Sequence, residues 1–541
     1  MQGIALKKHI LRVSLIFPLL ISVFLCIYSI SNYKANNIQA QNKIEQNNSF
    51  KREKNKTSNI SDQMPGSQNM DQHRTPSNGE VRQSPNESMK APGGNMPFQG
   101  GNMRNSVKST GTKYAPLITA YSVVFLSLFI AAYYFFVKKK VKISDNNIKI
   151  LMFTLLCIGL LLRISASTLM EGHNDINLFK NWATTAANNL SQFYTSSRSA
   201  DYPPLYIYIL FLIGKIASLP AMSSYYILLL KLPAIIADIA TAYFIYKLAR
   251  KYLSLEVSIL VAAFYIFNPA VFIDSTFWGQ VDSFFTFLIV LSIFLLSENK
   301  IVFSSALFTA AVLMKPQGII FLPVLFFELV RQRNLKNFVK VGVSALITAV
   351  AIILPFSFNQ DILWIFMLFS KTISEYPYAS VNAFNFFSLL GANYTKDTTT
   401  LFIFSYHSWG MIFIIITTAF SWFIYIKGNS RAFAPAVALL QIAGVFTFAS
   451  GMHERYLFPA AALSILTSIY LKDKRFYILA IGFSITSYIN IYAILFGTYR
   501  SMNAESFSPI LIVTSLLNVL MVVYLVKVLF DIVIRKRVYT Y

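Results

Sequence analysis

Ionisable and amide side chains are sparse in this sequence, and those that stand out sit at the edges of long apolar runs. Asp175 lies in EGHNDINLF, Tyr202 in ADYPPLY, Trp278, Gln280 and Asp282 in WGQVD, Lys315 in KPQ, and His453, Glu454 and Arg455 in MHERYLFP. A carboxylate such as Asp175 can take a proton from a hydroxyl that comes within hydrogen-bond reach. Lys315 and Arg455 are fixed cations, suited to a phosphate or to negative charge that grows during a reaction. Gln280, Asp282, His453, Glu454 and Tyr202 can donate to or accept from hydroxyls. Each also has a plainer explanation. Asp is a favoured helix N-cap, and Asp175 precedes a helix expected from Ile176. Tryptophan anchors helices at membrane interfaces, which accounts for Trp278, and Lys315 could snorkel to the same interface. The prolines of DYPP set an extended approach to a helix start. Residues 453–455 resist such an account, because successive helix residues point about 100° apart and three ionisable groups in a row cannot all face outward.

The elements that must carry these residues are membrane-spanning helices. Hydrophobic residues make up 55% of the 541 and charged ones only 13%. Apolar runs of about 17–25 residues, enough to cross a bilayer, recur from residue 115 to the C-terminus. The formal charge of +24 does not indicate nucleic-acid binding. Its lysines and arginines fall in short clusters between the runs, at 138–142, 247–251, 331–336, 472–475 and 535–537, which is the pattern of cytoplasmic loops. Oriented on those clusters, spans are expected at 115–137, 148–170, 225–248, 255–273, 282–297, 338–357, 405–426, 432–449, 455–471, 476–496 and 508–530. A helix at 203–219 is expected to lie at the outer interface, and 301–314 with 317–330 form a short out-and-back pair. This gives an all-α polytopic bundle of about twelve core helices plus about two N-terminal ones. Every candidate residue then falls on the outer side. The two cysteines, Cys26 and Cys157, sit in apolar segments and offer neither a disulfide framework nor metal-ligand spacing.

Four regions follow. Residues 1–32 are a membrane anchor or signal-like segment: Lys7, Lys8 and His9 precede an apolar run, and IQA at 38–40 is a weak cleavage sequence. Residues 33–113 are rich in Asn, Gln, Ser, Gly and Met and read as a disordered extracytoplasmic linker. Residues 114–147 add one span and a basic loop, and 148–541 form the core.

Together DYPPLYIYIL, STFWGQVDSFF, LMKPQG, YPYASVNAFNFFSLLGAN and MHERYLFP resemble the bacterial relatives of GPI-anchor mannosyltransferases, within the GT-C superfamily of polytopic glycosyltransferases. The resemblance covers roughly 148–530. It implies transfer of a hexose, mannose by analogy, from a polyprenyl-phosphate sugar to an acceptor hydroxyl at the extracytoplasmic face of the cell membrane, with inversion. It also implies a base in the first outer loop, which by position is Asp175. Lys315 and Arg455 are then expected at the donor phosphate, and Gln280, Asp282, His453, Glu454, Tyr202 and Trp278 at sugar or acceptor. No metal or other cofactor is called for. The acceptor is a glycan, a lipid, a wall polymer or a protein. Two other readings fit a polytopic protein with polar outer motifs: a flippase for lipid-linked saccharides, and an O-antigen-type polymerase or ligase.

Overall fold

Apolar runs of this length become helices because a backbone in lipid must satisfy its own hydrogen bonds. A computed structural model describes residues 16–36, 103–143, 148–197, 200–497 and 508–540. Among them, ten helices are long and apolar enough to cross a membrane, so the chain is an all-α, multi-pass membrane protein. Residues 1–15 and 37–102, which hold Lys7, Lys8, His9, the IQA sequence and most of the linker, lie outside the described residues.

Helix α1 covers Ile16–Asn36. Helix α2, Met103–Tyr133, begins inside the 33–113 stretch read as linker. Extending an existing helix adds a hydrogen bond per residue without a new nucleation cost, so the span's helix runs back into polar sequence. The core starts with α3 (Ile148–Ser167), followed by three shorter helices, α4 (Asp175–Asn188), α5 (Phe193–Ser196) and α6 (Pro204–Ala217), of which α6 packs along α4. Then α7 (Tyr226–Tyr252), α8 (Leu255–Phe267) and α9 (Pro269–Ile273) lead into a π-helical turn, Asp274–Trp278. Helices α10 (Asp282–Ser297), α11 (Ile301–Val312), α12 (Leu322–Gln332) and α13 (Leu335–Ile353) complete the first part. The loop at 358–400 holds α14 (Trp364–Ser374) and α15 (Phe386–Leu389), and it ends in a two-stranded hairpin, β1 (Thr400–Leu401) and β2 (Phe404–Ser405). Helices α16 (Tyr406–Gly428), α17 (Ala434–Phe448), α18 (Ala460–Leu471), α19 (Arg475–Leu495) and α20 (Pro509–Val533) finish the bundle.

Three of the expected segments are shorter as helices than as apolar runs, 301–314, 317–330 and 455–471, and a fourth, 282–297, keeps its expected bounds but is only 16 residues long. The reason is common to them. Helix α10 opens on Asp282, α11 stops before Lys315, and α18 opens after Arg455, so the regular helix ends where a polar side chain must be presented. The basic clusters meet at the opposite end of the bundle. There Ile143 N–H donates to Glu256 (3.1 Å), Arg431 to Glu328 (2.8 Å), Tyr470 to Glu298 (3.1 Å) and Arg475 to Asp531 (3.0 Å).

Candidate active site

Two loops interlock to build the site. In EGHND, Gly172 has φ +132°, and a Cβ there would lie 2.9 Å from the Trp278 carbonyl; in WGQVD, Gly279 has φ +82°. Only glycine takes such conformations without strain, and the two turns close on each other as His173 N–H donates to Trp278 O at 3.0 Å. Beneath them the fully buried Lys231 of α7 donates to the carbonyls of Ser167 (3.2 Å) and Met170 (2.6 Å), fixing the end of α3. Asp175 is thereby held at the start of α4. It does not cap that helix: Asn174 is the N-cap, and its side chain makes no capping bond.

The Asp175 carboxylate accepts from Gln280 Nε2, lies 3.5 Å from His173 Nδ1 and 3.6 Å from an Arg455 nitrogen, and stays 32% exposed. Gln280 in turn accepts from Tyr202 Oη at 3.3 Å. A hydrogen-bonded chain therefore runs Tyr202–Gln280–Asp175. Burial pushes the Asp175 carboxyl up, but the neighbouring His173, the Arg455 charge and the hydrogen bond from Gln280 together hold it below the usual carboxylate range.

The two cations are already engaged. Lys315 donates to Asp282 Oδ1 at 2.5 Å, with its ammonium 5.6 Å from the centre of the Tyr202 ring. Arg455 spans Glu454 (3.0 Å), Asp282 (3.5 Å) and Asp175 (3.6 Å), and lies over Trp278 at 4.7 Å. Trp278 is 1% exposed and stacks on His173 at 4.6 Å. It is a wall of the site and does not anchor an interface.

His453, Glu454 and Arg455 occupy turns between α17 and α18, so the helical spacing expected of them does not apply. The segment is fixed instead by pairing with Val381 and Asn382. It points Arg455 inward and leaves the His453 ring edge-on to Tyr376 at 4.5 Å and 5.0 Å from Tyr456. Burial lowers His453 to about 4, despite Glu454 beside it, so its imidazole is neutral at physiological pH and is no anion-binding cation.

All nine sequence candidates thus stand at one end of the bundle. Asp175, Tyr202, Trp278, Gln280, Asp282, Lys315, Glu454 and Arg455 form one connected cluster, and His453 borders it. Two loop carboxylates at this end escaped the sequence reading. Asp201 lies beside Glu375, and burial followed by the Glu375 charge pushes it up to about 7. Among the described residues, no group of three or more His, Cys, Asp or Glu side chains is placed to hold a metal ion. The arrangement can bind hydroxyls, present a partly exposed carboxylate to one of them, and offer two cations to an anion that displaces their carboxylate partners. No family model matches the chain, and no curated protein matches it.

Proposed function

We propose that this protein is an integral-membrane glycosyltransferase with a GT-C-like arrangement, moving a hexose from a polyprenyl-phosphate sugar to an acceptor hydroxyl on the extracytoplasmic face of the cell membrane. The observation that carries the reading is the placement of Asp175: the carboxylate is partly exposed, tied through Gln280 to Tyr202, and stands within 3.6 Å of Arg455. In this reaction the acceptor oxygen attacks the anomeric carbon while its proton passes to Asp175. The bond from the anomeric carbon to the phosphate oxygen breaks on the opposite face, so the product is inverted. The electron pair leaves with the lipid phosphate, whose added charge is met by Arg455 and Lys315. Binding of the phosphate draws Arg455 from Asp175 and so raises the basicity of the carboxylate at the moment it is needed. Gln280, Asp282, Glu454, neutral His453 and Tyr202 bind sugar or acceptor hydroxyls, and Trp278 forms a wall. The mechanism calls for no metal. The acceptor is a glycan, lipid, wall polymer or protein carrying a hydroxyl at that face.

The test follows label from radiolabelled polyprenyl-phosphate mannose, glucose and galactose into non-donor products, in membranes holding wild type or Asp175→Asn at equal abundance. General-base catalysis contributes about 10²–10⁴-fold, so the variant is expected to lose at least about 100-fold of the transfer. Equal transfer by both proteins overturns the assignment of Asp175. Failure of wild type with every donor overturns the enzyme and favours a lipid-linked saccharide flippase.

A further inference from the structure

Behind this site lies a second group of polar side chains that the proposed reaction does not use. Asp238 on α7 and Asp274 in the π turn are both fully buried. Arg163 of α3 covers one oxygen of Asp238 at 2.9 Å. The other oxygen of Asp238, and both oxygens of Asp274, have no hydrogen-bond partner. Ser275 and Ser283 lie beside Asp238, and Tyr265 lies beside Thr241, Asp238 and Asp274. Among the described residues the hydroxyls of Thr241, Tyr265 and Ser283 are buried and make no hydrogen bond of good geometry, although Thr241 stands against Tyr265 and Ser283 against Asp238. Three carboxylate oxygens and three hydroxyls are thus buried in one region, and among the described residues the one cationic nitrogen left without a partner there belongs to Arg163.

Charge sharpens the imbalance. Asp274 is acted on by Asp282, Arg455, Lys315 and Asp238, but Lys315 and Arg455 already serve Asp282, Glu454 and Asp175. Arg163 already serves Asp238. A charge left uncompensated in such an interior costs several kcal/mol, so this region is short of positive charge. Everything turned toward it is oxygen, the ligand type of hard cations. The helix also breaks here, between α8 and α9 at Asn268–Pro269, and then widens into the π turn that ends at Gly279. Broken helices of membrane proteins use such points to coordinate sodium.

We propose that Asp238, Asp274 and the hydroxyls of Thr241, Tyr265 and Ser283 hold a sodium ion behind the active site. Two carboxylates and no further His, Cys, Asp or Glu ligand suit a monovalent ion better than a divalent one. The ion neutralises Asp274, and by fixing the π turn it sets the position of Gly279, Gln280 and Asp282, which follow directly in the chain.

The test is binding of ²²Na⁺ to the full-length protein in lipid nanodiscs, with choline chloride holding ionic strength constant. Saturable binding is expected, displaced by unlabelled sodium, lost in Asp274→Asn and weakened in Ser283→Ala. Asp274 makes no ion pair, so the first variant removes charge without breaking one, and the second removes only a hydroxyl. Absence of saturable binding to wild type overturns the proposal and leaves the space to water and a proton. Binding that both variants retain overturns the assignment to these residues. The measurement needs no transfer activity, so its outcome is independent of the glycosyltransferase reading.

Discussion

Asp175 combines two properties that pull against each other in a base. It is ionised and available, yet His173, Arg455 and Gln280 hold it below the usual carboxylate range, and a carboxylate of low basicity is a weak proton acceptor. Its activation therefore depends on what happens to Arg455. Asp201 shows the opposite case. Its carboxyl is pushed up to about 7 by burial and by Glu375, whereas an unfolded aspartate titrates near 3.9. Between about pH 4 and pH 7 the folded protein holds a proton that the unfolded chain has lost, so stability falls as pH rises through that window. The melting temperature of wild type is expected to drop from pH 5 to pH 7.5, and Asp201→Asn to flatten that drop. A parallel decline in both proteins would show that Asp201 is not the titrating group. The nine candidates were legible because each is a polar residue at the edge of an apolar run. Asp201 and Glu375 lie in loops where acidic residues are ordinary, and only their approach across the fold sets them apart.

At the scale of elements, the site exists because α10, α11, α12 and α18 are short helices. Hydropathy follows composition and so reads 455–471 as a full span, but α18 begins only at Ala460; a helix ends where its backbone turns, and no composition records that. The same blindness hid the centre of the bundle. Arg163, Lys231 and Asp238 lie within runs read only as spans, and Asp274 directly follows one, although ionisable residues at such depth are costly and mark functional positions by default. Arg163 and Asp238 are both wholly buried, joining α3 to α7 at 2.9 Å. Removing one partner of a buried pair strands the other, at a cost of about 3–5 kcal/mol. Arg163→Met is expected to destabilise the protein by that amount in equilibrium unfolding in mixed micelles. Arg163→Met with Asp238→Leu should recover most of the loss, because two apolar residues leave no orphan charge. If the single variant unfolds like wild type, the pair does not hold α3 to α7.

The molecule as a whole has two chemically distinct ends. One gathers the basic clusters that close α2, α7, α12, α18 and α20; the other gathers the site. The close of α1 lies at the site end, where Tyr33 stacks on Tyr225, and Tyr114 of α2 meets Phe277 at the same end. The expectation that the basic end faces the cytoplasm rests on the retention of lysine and arginine in short cytoplasmic loops, and the proposed chemistry depends on it: a lipid-linked donor is the natural choice only where nucleotide sugars are absent. Single cysteines test this directly in a background with Cys26 and Cys157 replaced by serine. Thr398→Cys, exposed at the site end, should react with a membrane-impermeant maleimide in intact cells, whereas Lys336→Cys, exposed at the basic end, should react only after permeabilisation. The reverse pattern would turn the site toward the cytoplasm. It would give Asp175 access to soluble nucleotide sugars and remove the reason for a polyprenyl-phosphate donor, while leaving the geometry of the carboxylate and its two cations as it stands.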